Sequence, residues 1–267
     1  MPDKKPGLVL FLQIALLAAL IAAWEIGARI KWLDPFFFSQ PSIFGARALR
    51  WLADPGFLLG GRSIYHHLFV TMEEMSGGFV LGVAFGVAVG FVLGLSHFWS
   101  AVLNPYIQVL NALPRLVLAP IFVLLLGIDE RSKIALGFSL VFFIVFFNAY
   151  RGVREVDRNI VNNARMLGAS ESQLAWHVLL PSAMSWILSS LHTSVGFALV
   201  GAVVGEYLAA AQGIGWIISQ AQGNFDAAGV YAGMLILCVV VVIVEMGVTW
   251  IEERLIRWKS VNVQDYS

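Results

Sequence analysis

The chain has 267 residues, of which 59% are hydrophobic and 13% charged, with a mean hydropathy of +0.79. A soluble domain typically carries about 25% charged residues, so this composition excludes a soluble globule and equally a disordered chain. Basic and acidic residues balance at 17 each, which leaves no positive field for nucleic acid. The single cysteine, Cys238, permits neither an intrachain disulfide nor a cysteine-based metal cluster.

A helix needs about 20 mostly apolar residues to cross the hydrocarbon core. Six stretches qualify in chain order: 8–27, 77–95, 102–128, 134–150, 182–208 and 231–250. The first follows Lys4 and Lys5 and is longer than the apolar core of a signal peptide, about 7–15 residues, so it reads as a retained span. Between the first two spans, Arg29 to Met75 carries PFFFSQPSIF, Trp32 and Trp51. Its aromatic side chains suit the membrane interface. The expected fold is an all-α integral membrane protein, one domain over 1–267, with a polar loop at 151–181 between the fourth and fifth spans.

Basic loop residues set orientation. With a cytoplasmic N-terminus, Lys4, Lys5, Arg151, Arg154, Arg158, Arg165, Arg254, Arg257 and Lys259 lie inside. Arg29, Lys31, Arg47, Arg50, Arg62, Arg131 and Lys133 lie outside. The balance favours cytoplasmic termini and a cytoplasmic 151–181 loop.

The second span has a glycine at every fourth position: Gly78, Gly82, Gly86, Gly90 and Gly94. Small residues at this spacing let another backbone approach closely, within the chain or across a dimer. The third span contains Pro105, Pro114 and Pro120, each of which removes a helix hydrogen bond. Arg115 follows Pro114. It either faces a solute path, where it suits an anion, or snorkels to an interface. The fifth span is the most polar, with Ser185, Ser189, Ser190, His192, Thr193 and Ser194. These residues either line a path, with Ser189, His192, Thr193 and Ser194 as its candidates, or bond back to their own helix. Glu206 falls at the outer end of this span, and Glu25 and Glu245 stand alone in apolar runs with no role assigned.

No HExxH, GxSxG or GxxxxGK[ST] pattern occurs, so metal, serine-nucleophile and P-loop chemistry have no motif here. A membrane-embedded enzyme would need a clustered catalytic set, and none is visible. A secondary transporter would favour internal repeats and buried carboxylates along its path.

The polar loop is the most informative segment. Asp157 suits a helix cap, and Ile160, Ala164 and Leu167 share one face of the helix it would start. Gly168 stands where a left-handed C-terminal residue belongs. Ser170 and Gln173 have capping-box spacing for a second short helix. Leu174 and Val178 share the apolar face of that helix, and Pro181 suits the first turn of the fifth span. Exposed apolar faces on such a loop form a docking surface, unless the loop folds back on its own chain.

This stretch resembles the signature loop of permease subunits of type I ATP-binding-cassette importers, whose pattern is EAA, three residues, Gly, nine residues, Ile-x-Leu-Pro. Here Asn162, Asn163 and Ala164 precede Gly168, and Val178, Leu180 and Pro181 close the motif. PSIF at Pro41, ALPRLVLAP, MLGAS and VVGEYL…GIGWII resemble the branch that imports nitrate, taurine, alkanesulfonates and some thiamine precursors.

The resemblance implies a noncatalytic subunit that pairs with a second permease copy in the bacterial inner membrane. It implies a cytoplasmic ATPase dimer carrying ATP and Mg, docked on Asn162, Asn163, Ala164, Arg165, Leu167, Gly168, Ala169, Ser170, Val178, Leu180 and Pro181. It also implies a solute-binding protein outside, which Glu206 would contact or gate, and lipid around the spans. A small anion is the expected solute, with Pro114, Arg115 and the polar face of the fifth span along its path. A thiamine precursor or an aromatic organic acid is the alternative, and an ion-driven transporter is the rival function.

Overall fold

A computed structural model describes residues 6–54 and 56–255. Lys4, Lys5, Arg257 and Lys259, which weigh in the charge balance, lie outside the described residues. Among the described residues five helices are long and apolar enough to cross a membrane, or six if a bent helix pair is one span. Helix α1 is Pro6–Arg29, α2 is Pro35–Phe38 and α3 is Pro41–Ala53. A two-stranded hairpin, β1 Leu58–Leu59 and β2 Arg62–Ser63, leads into α4, Ile64–Leu95. Then come α5, His97–Ala112, a 3-10 turn Arg115–Leu118, α6, Ala119–Leu126, and α7, Glu130–Arg154. The polar loop holds α8, Arg158–Met166, and α9, Glu171–Leu174. A π-helical turn, Ala175–Leu179, joins α9 to α10, Leu180–Leu208. Helices α11, Ile214–Gly223, and α12, Ala227–Leu255, are the last described elements.

The second expected span is corrected at its start. It begins at Ile64 rather than near Gly77, because the helix carries His66, His67, Glu73 and Glu74 in its first turns, which mask the apolar run. The third is broken, as its internal prolines predict. Its two halves meet at 81°, and Pro114 alone makes the break: the residue before a proline is pushed out of the helical region, and Leu113 has ψ 133°. Pro105 stays inside α5, and Pro120 falls in the first turn of α6.

Helices α4, α7 and α10 form the core. The glycine ladder packs within the chain, and it packs on α7. A Cβ at Gly78 would lie 3.0 Å from Gly137 Cα, at Gly82 2.6 Å from Val141 Cβ, at Gly90 2.9 Å from Ala149 Cβ and at Gly94 2.8 Å from Val153 Cβ. The order of these pairs makes α4 and α7 parallel. Helix α10 runs the other way and packs on both α7 and α4, with Gly205 against Lys133, Gly152 against Ala183 and Thr71 bonded to Glu206. With no side chain between them, the backbones approach closely, and dispersion contacts replace the hydrophobic drive that lipid does not supply. Leu136, Val141, Val145 and Ala149 of α7 are all fully buried.

Helix α12 covers α10 through Leu237, Val241, Val244 and Val248. A second apolar cluster joins α3, α4, α11 and α12 through Trp51, Ile64, Ile214, Ile218 and Ile236. Trp51 is thus a core side chain rather than an interfacial one, whereas Trp32 is 80% exposed. Helix α1 touches the rest only near its C-terminal end, where Trp24 packs on Phe44 and Tyr231. There Glu25 accepts hydrogen bonds from Arg29 Nε (2.7 Å), Ser42 Oγ (2.8 Å) and Ser42 N (3.0 Å). Glu25 is therefore a tether between α1 and α3, a role the sequence did not suggest.

Candidate functional site

The polar loop folds as two short helices joined at a fixed corner. Asp157 Oδ1 accepts from Asn159 N at 2.8 Å and starts α8. At its other end Gly168 has φ 86°. Ala169 N donates to Ala164 O at 3.1 Å and Gly168 N to Arg165 O at 2.9 Å, the bonding pattern of a Schellman motif. Ser170 then opens α9 with a complete capping box: its Oγ accepts from Gln173 N, and its N donates to Gln173 Oε1 at 2.9 Å. Arg165 reaches across the corner to Glu171, 3.1 Å away.

One side of this loop is anchored and the other is open. Leu174 is buried, with Val178 beside it on the half-buried side. Ile160, Met166 and Leu167 are exposed by 52%, 83% and 88%. Asn162, Asn163 and Arg165 are exposed beside them. Leu167, Gly168, Ala169, Gln173 and His177 line a shallow cavity of ≈ 400 Å³. Among the described residues the apolar face at the corner therefore has no partner.

Pro181 lies in the first turn of α10 but does not begin a separate helix. Its missing N–H and its ring disturb the turn before it, and the chain answers with the π-helical turn, where Leu180 N donates to Ala175 O. The loop and the fifth span are thereby one continuous helical rod, Glu171–Leu208.

The expected path residues separate into four groups. Ser189 and Thr193 are exposed on one face of α10. Ser194 is buried and donates to Ser190 O at 2.8 Å, as Ser190 does to Ile187 O at 2.6 Å. Ser194 is therefore corrected from a path residue to a back-bonded core serine. His192 is half-buried and faces α12: Nδ1 lies 3.0 Å from Glu245 Oε2 and Nε2 2.5 Å from Glu252 Oε2. Each ring nitrogen thus faces a carboxylate of α12, and Glu245 is not solitary as the sequence suggested. Arg115 sits after the break at Pro114. It donates to Asn111 Oδ1 and lies 4.6 Å over the Phe143 ring.

At the far end of α10, Glu206 is 1% exposed. The expectation of an outer-surface contact is corrected: its carboxylate points into the chain. Thr71 Oγ1 donates to Glu206 Oε1 at 2.6 Å, and Gly215 N donates to Oε2 at 2.6 Å. Thr71 Oγ1 also accepts from Ile214 N at 2.9 Å, and His67 Nδ1 accepts from Gly213 N at 3.0 Å. The first three amides of α11, unpaired in any isolated helix, are thus capped by side chains of α4 and α10. His67 must carry its hydrogen on Nε2, which faces Leu59 O at 3.0 Å. Gly213, at φ 101°, and Gly215 leave room for the Glu206 carboxylate, which a Cβ at either position would meet.

Glu74 and Lys133, 1% and 2% exposed, lie beside this cluster. Lys133 Nζ donates to the carbonyls of Ile128 and Asp129, so it is a buried charge and not the outer-loop charge read from sequence. Charged residues within otherwise apolar helices mark buried positions one by one, but nothing in the sequence shows that these residues meet.

A family model described as the inner membrane component of binding-protein-dependent transport systems matches residues 82–257. The chain belongs to this family. It is a permease subunit of an ATP-binding-cassette importer. It is 31% identical over 248 residues to the taurine transport system permease protein TauC of Escherichia coli, covering 92% of this chain and 89% of the relative. It is 30% identical over 260 residues to the putative aliphatic sulfonates transport permease protein SsuC of Bacillus subtilis, covering 96% and 92%. It is also 29% identical over 245 residues to the formylaminopyrimidine transport permease protein ThiX of Halalkalibacterium halodurans. Its fold matches a chain of the inward-facing MetNI methionine ABC transporter with a TM-score of 0.59 at 16% identity, covering 71% of this chain and 92% of that one. The all-α type I importer permease fold expected from the loop is thus the fold of this permease.

Proposed function

We propose that this permease imports a small organosulfonate, and that an ATPase docks on the corner between α8 and α9. The observation that carries the docking is the open apolar face at Ile160, Met166 and Leu167, set around a Schellman corner stiffened by a capping box and the Arg165–Glu171 pair. Exposed apolar area of this kind favours burial against a partner. A closing ATPase dimer would push on this corner, and the continuous rod to Leu208 would carry the push through the membrane.

Two copies of the chain would form the path, a solute-binding protein would deliver the solute outside, and lipid would surround α1, whose central window has no buried residue. Both termini would lie on the cytoplasmic side with the loop. The six expected stretches, with their revised ends, would be the spans. Nucleotide and Mg would sit on the ATPase.

A sulfonate is favoured over a thiamine precursor by the solutes named for the taurine and aliphatic sulfonate relatives, at 31% and 30% identity, and by Arg115, a positive charge at the helix break. Ser189 and Thr193 supply hydroxyls on the open face of α10. The test is purification of the tagged chain from native membranes in mild detergent with mass spectrometry of what stays bound. An ATP-binding-cassette ATPase in about equal copy number is expected. A chain that arrives alone, under conditions that keep a known importer whole, overturns the proposal.

A further inference from the structure

Helix α5 carries a polar line. His97, Ser100, Asn104, Gln108 and Asn111 recur at spacings of three and four, which puts them on one face of the helix. At one end this face meets α7: Arg154 Nη1 donates to His97 Nδ1, and Ser100 Oγ pairs with the Tyr150 hydroxyl. At the other end Arg115, just past the break, lies 4.6 Å over the Phe143 ring of α7. Between these two ties Asn104, Gln108 and Asn111 are exposed. Phe143, Phe147, Tyr150 and Arg154 share one face of α7 by the same spacing, and it is the face that meets α5. An open space is thus bounded by amides on α5 and by phenyl rings on α7.

The bonds within α5 decide which atoms face that space. Arginine has no acceptor, so Asn111 turns Oδ1 to the Arg115 guanidinium, which donates to it. Asn111 Nδ2 then has no partner among the described residues. Gln108 Nε2 donates to Asn104 Oδ1 at 3.2 Å, which leaves Asn104 Nδ2 open in the same way. At about 1.5 Å of rise per residue, Asn104 to Asn111 lie roughly 10–21 Å along α5, within the depth of a hydrocarbon core of about 30 Å. Amide N–H groups facing lipid there would be costly, so this face needs water or a polar solute before it. Donors on one wall, a guanidinium at the end and aromatic rings on the other wall suit an anion with a hydrocarbon body. An inorganic oxyanion would leave the rings unmatched. We infer that the space between α5 and α7 is a binding site for an organic anion, its oxygens on Asn104, Asn111 and Arg115 and its hydrocarbon body on Phe143 and Phe147. The site deepens the importer reading above and rests on it for being part of a solute path.

The test is thiol accessibility in proteoliposomes of the purified complex, in a Cys238→Ser background. Asn104→Cys, Gln108→Cys and Asn111→Cys should each react with the water-soluble anion 2-sulfonatoethyl methanethiosulfonate at least tenfold faster than Val102→Cys and Val109→Cys on the opposite face. At matched ionic strength, 1-butanesulfonate should slow the reaction at Gln108→Cys at least threefold, and nitrate should not. Phe147→Ala in that chain should remove most of this protection. Asn111→Leu, at an exposed position where folding is not at risk, should do the same, and Val109→Leu should leave the protection intact. Equal reaction on both faces, or no reaction at the amide positions, overturns the open polar space. Protection by nitrate as strong as by butanesulfonate, or protection that neither Phe147→Ala nor Asn111→Leu weakens, overturns the organic-anion site. The two readings fail separately. A complex that holds its ATPase but lacks this pattern removes the site and keeps the importer. A chain that arrives without an ATPase and still shows the pattern does the reverse.

Discussion

Gly82 of α4 lies against Val141 of α7 so closely that an added Cβ would sit 2.6 Å from Val141 Cβ. The parallel α4–α7 pair has no slack at this point, since Val141 is fully buried and belongs to a helix that packs on both α4 and α10. Gly82→Val is expected to push the two helices apart and cost about 1–3 kcal/mol, the usual range for overpacking. A lower thermal midpoint in detergent checks this. Gly196→Ala, which would meet nothing within 4 Å, should leave the midpoint unchanged.

Thr71 joins three elements by donating to Glu206 and accepting from Ile214 N. Thr71→Val keeps the volume and leaves both partners buried and unmatched. Each unsatisfied group costs about 1–3 kcal/mol, so the N-terminal turn of α11 should lose protection first. Faster hydrogen exchange at Ile214 and Gly215, with α7 unchanged, is the expected result.

His192 holds two carboxylates of α12 that face it one on each ring nitrogen. Removing the ring nitrogens leaves Glu245 and Glu252 to repel each other in a half-buried setting. His192→Phe should lower the unfolding midpoint, and His192→Phe with Glu252→Gln should recover part of the loss. A double-mutant cycle measures the coupling. Additive effects would mean that the imidazole does not tie α10 to α12.

Arg115 is the cation at the helix break. Arg115→Gln is expected to lower the uptake of an anionic solute in proteoliposomes while the complex assembles in normal yield. Unchanged uptake with an intact complex would remove Arg115 from the path.

Apolar length alone made the five long helices and the bent pair legible, because a bilayer demands such runs and few other environments do. The corner at Gly168 was equally legible, since capping residues act locally and their spacing survives without tertiary context. The charged cluster at Thr71, Glu74, Lys133 and Glu206 was not, because its members are far apart in the chain and meet only when α4, α7 and α10 pack. Lys133 read as a loop charge for that reason, and Glu206 as an exposed one. The early start of α4 was hidden by the same residues that later proved buried, His67 and Glu74. The serine stripe on α10 split for a different reason: hydropathy cannot tell a hydroxyl that bonds its own helix, as Ser194 does, from one that stays exposed, as Ser189 does.

The docking corner also separates stability from coupling. Gly168 has open space around it but a φ that only glycine adopts freely, so Gly168→Val strains the backbone by about 1–2 kcal/mol. This variant should insert normally and hydrolyse ATP without driving uptake. Normal uptake would count against a rigid corner.

Site-specific cross-linking at the corner tests the central claim most directly. Leu167 is 88% exposed, and the native thiol at Cys238 is removed by Cys238→Ser. In that background Leu167→Cys, treated with a short bifunctional reagent in intact membranes, should capture the ATPase, and the yield should change when ATP is added. Capture of the ATPase from Trp32→Cys, which the proposed topology puts on the other side of the membrane, with none from Leu167→Cys, would contradict the account.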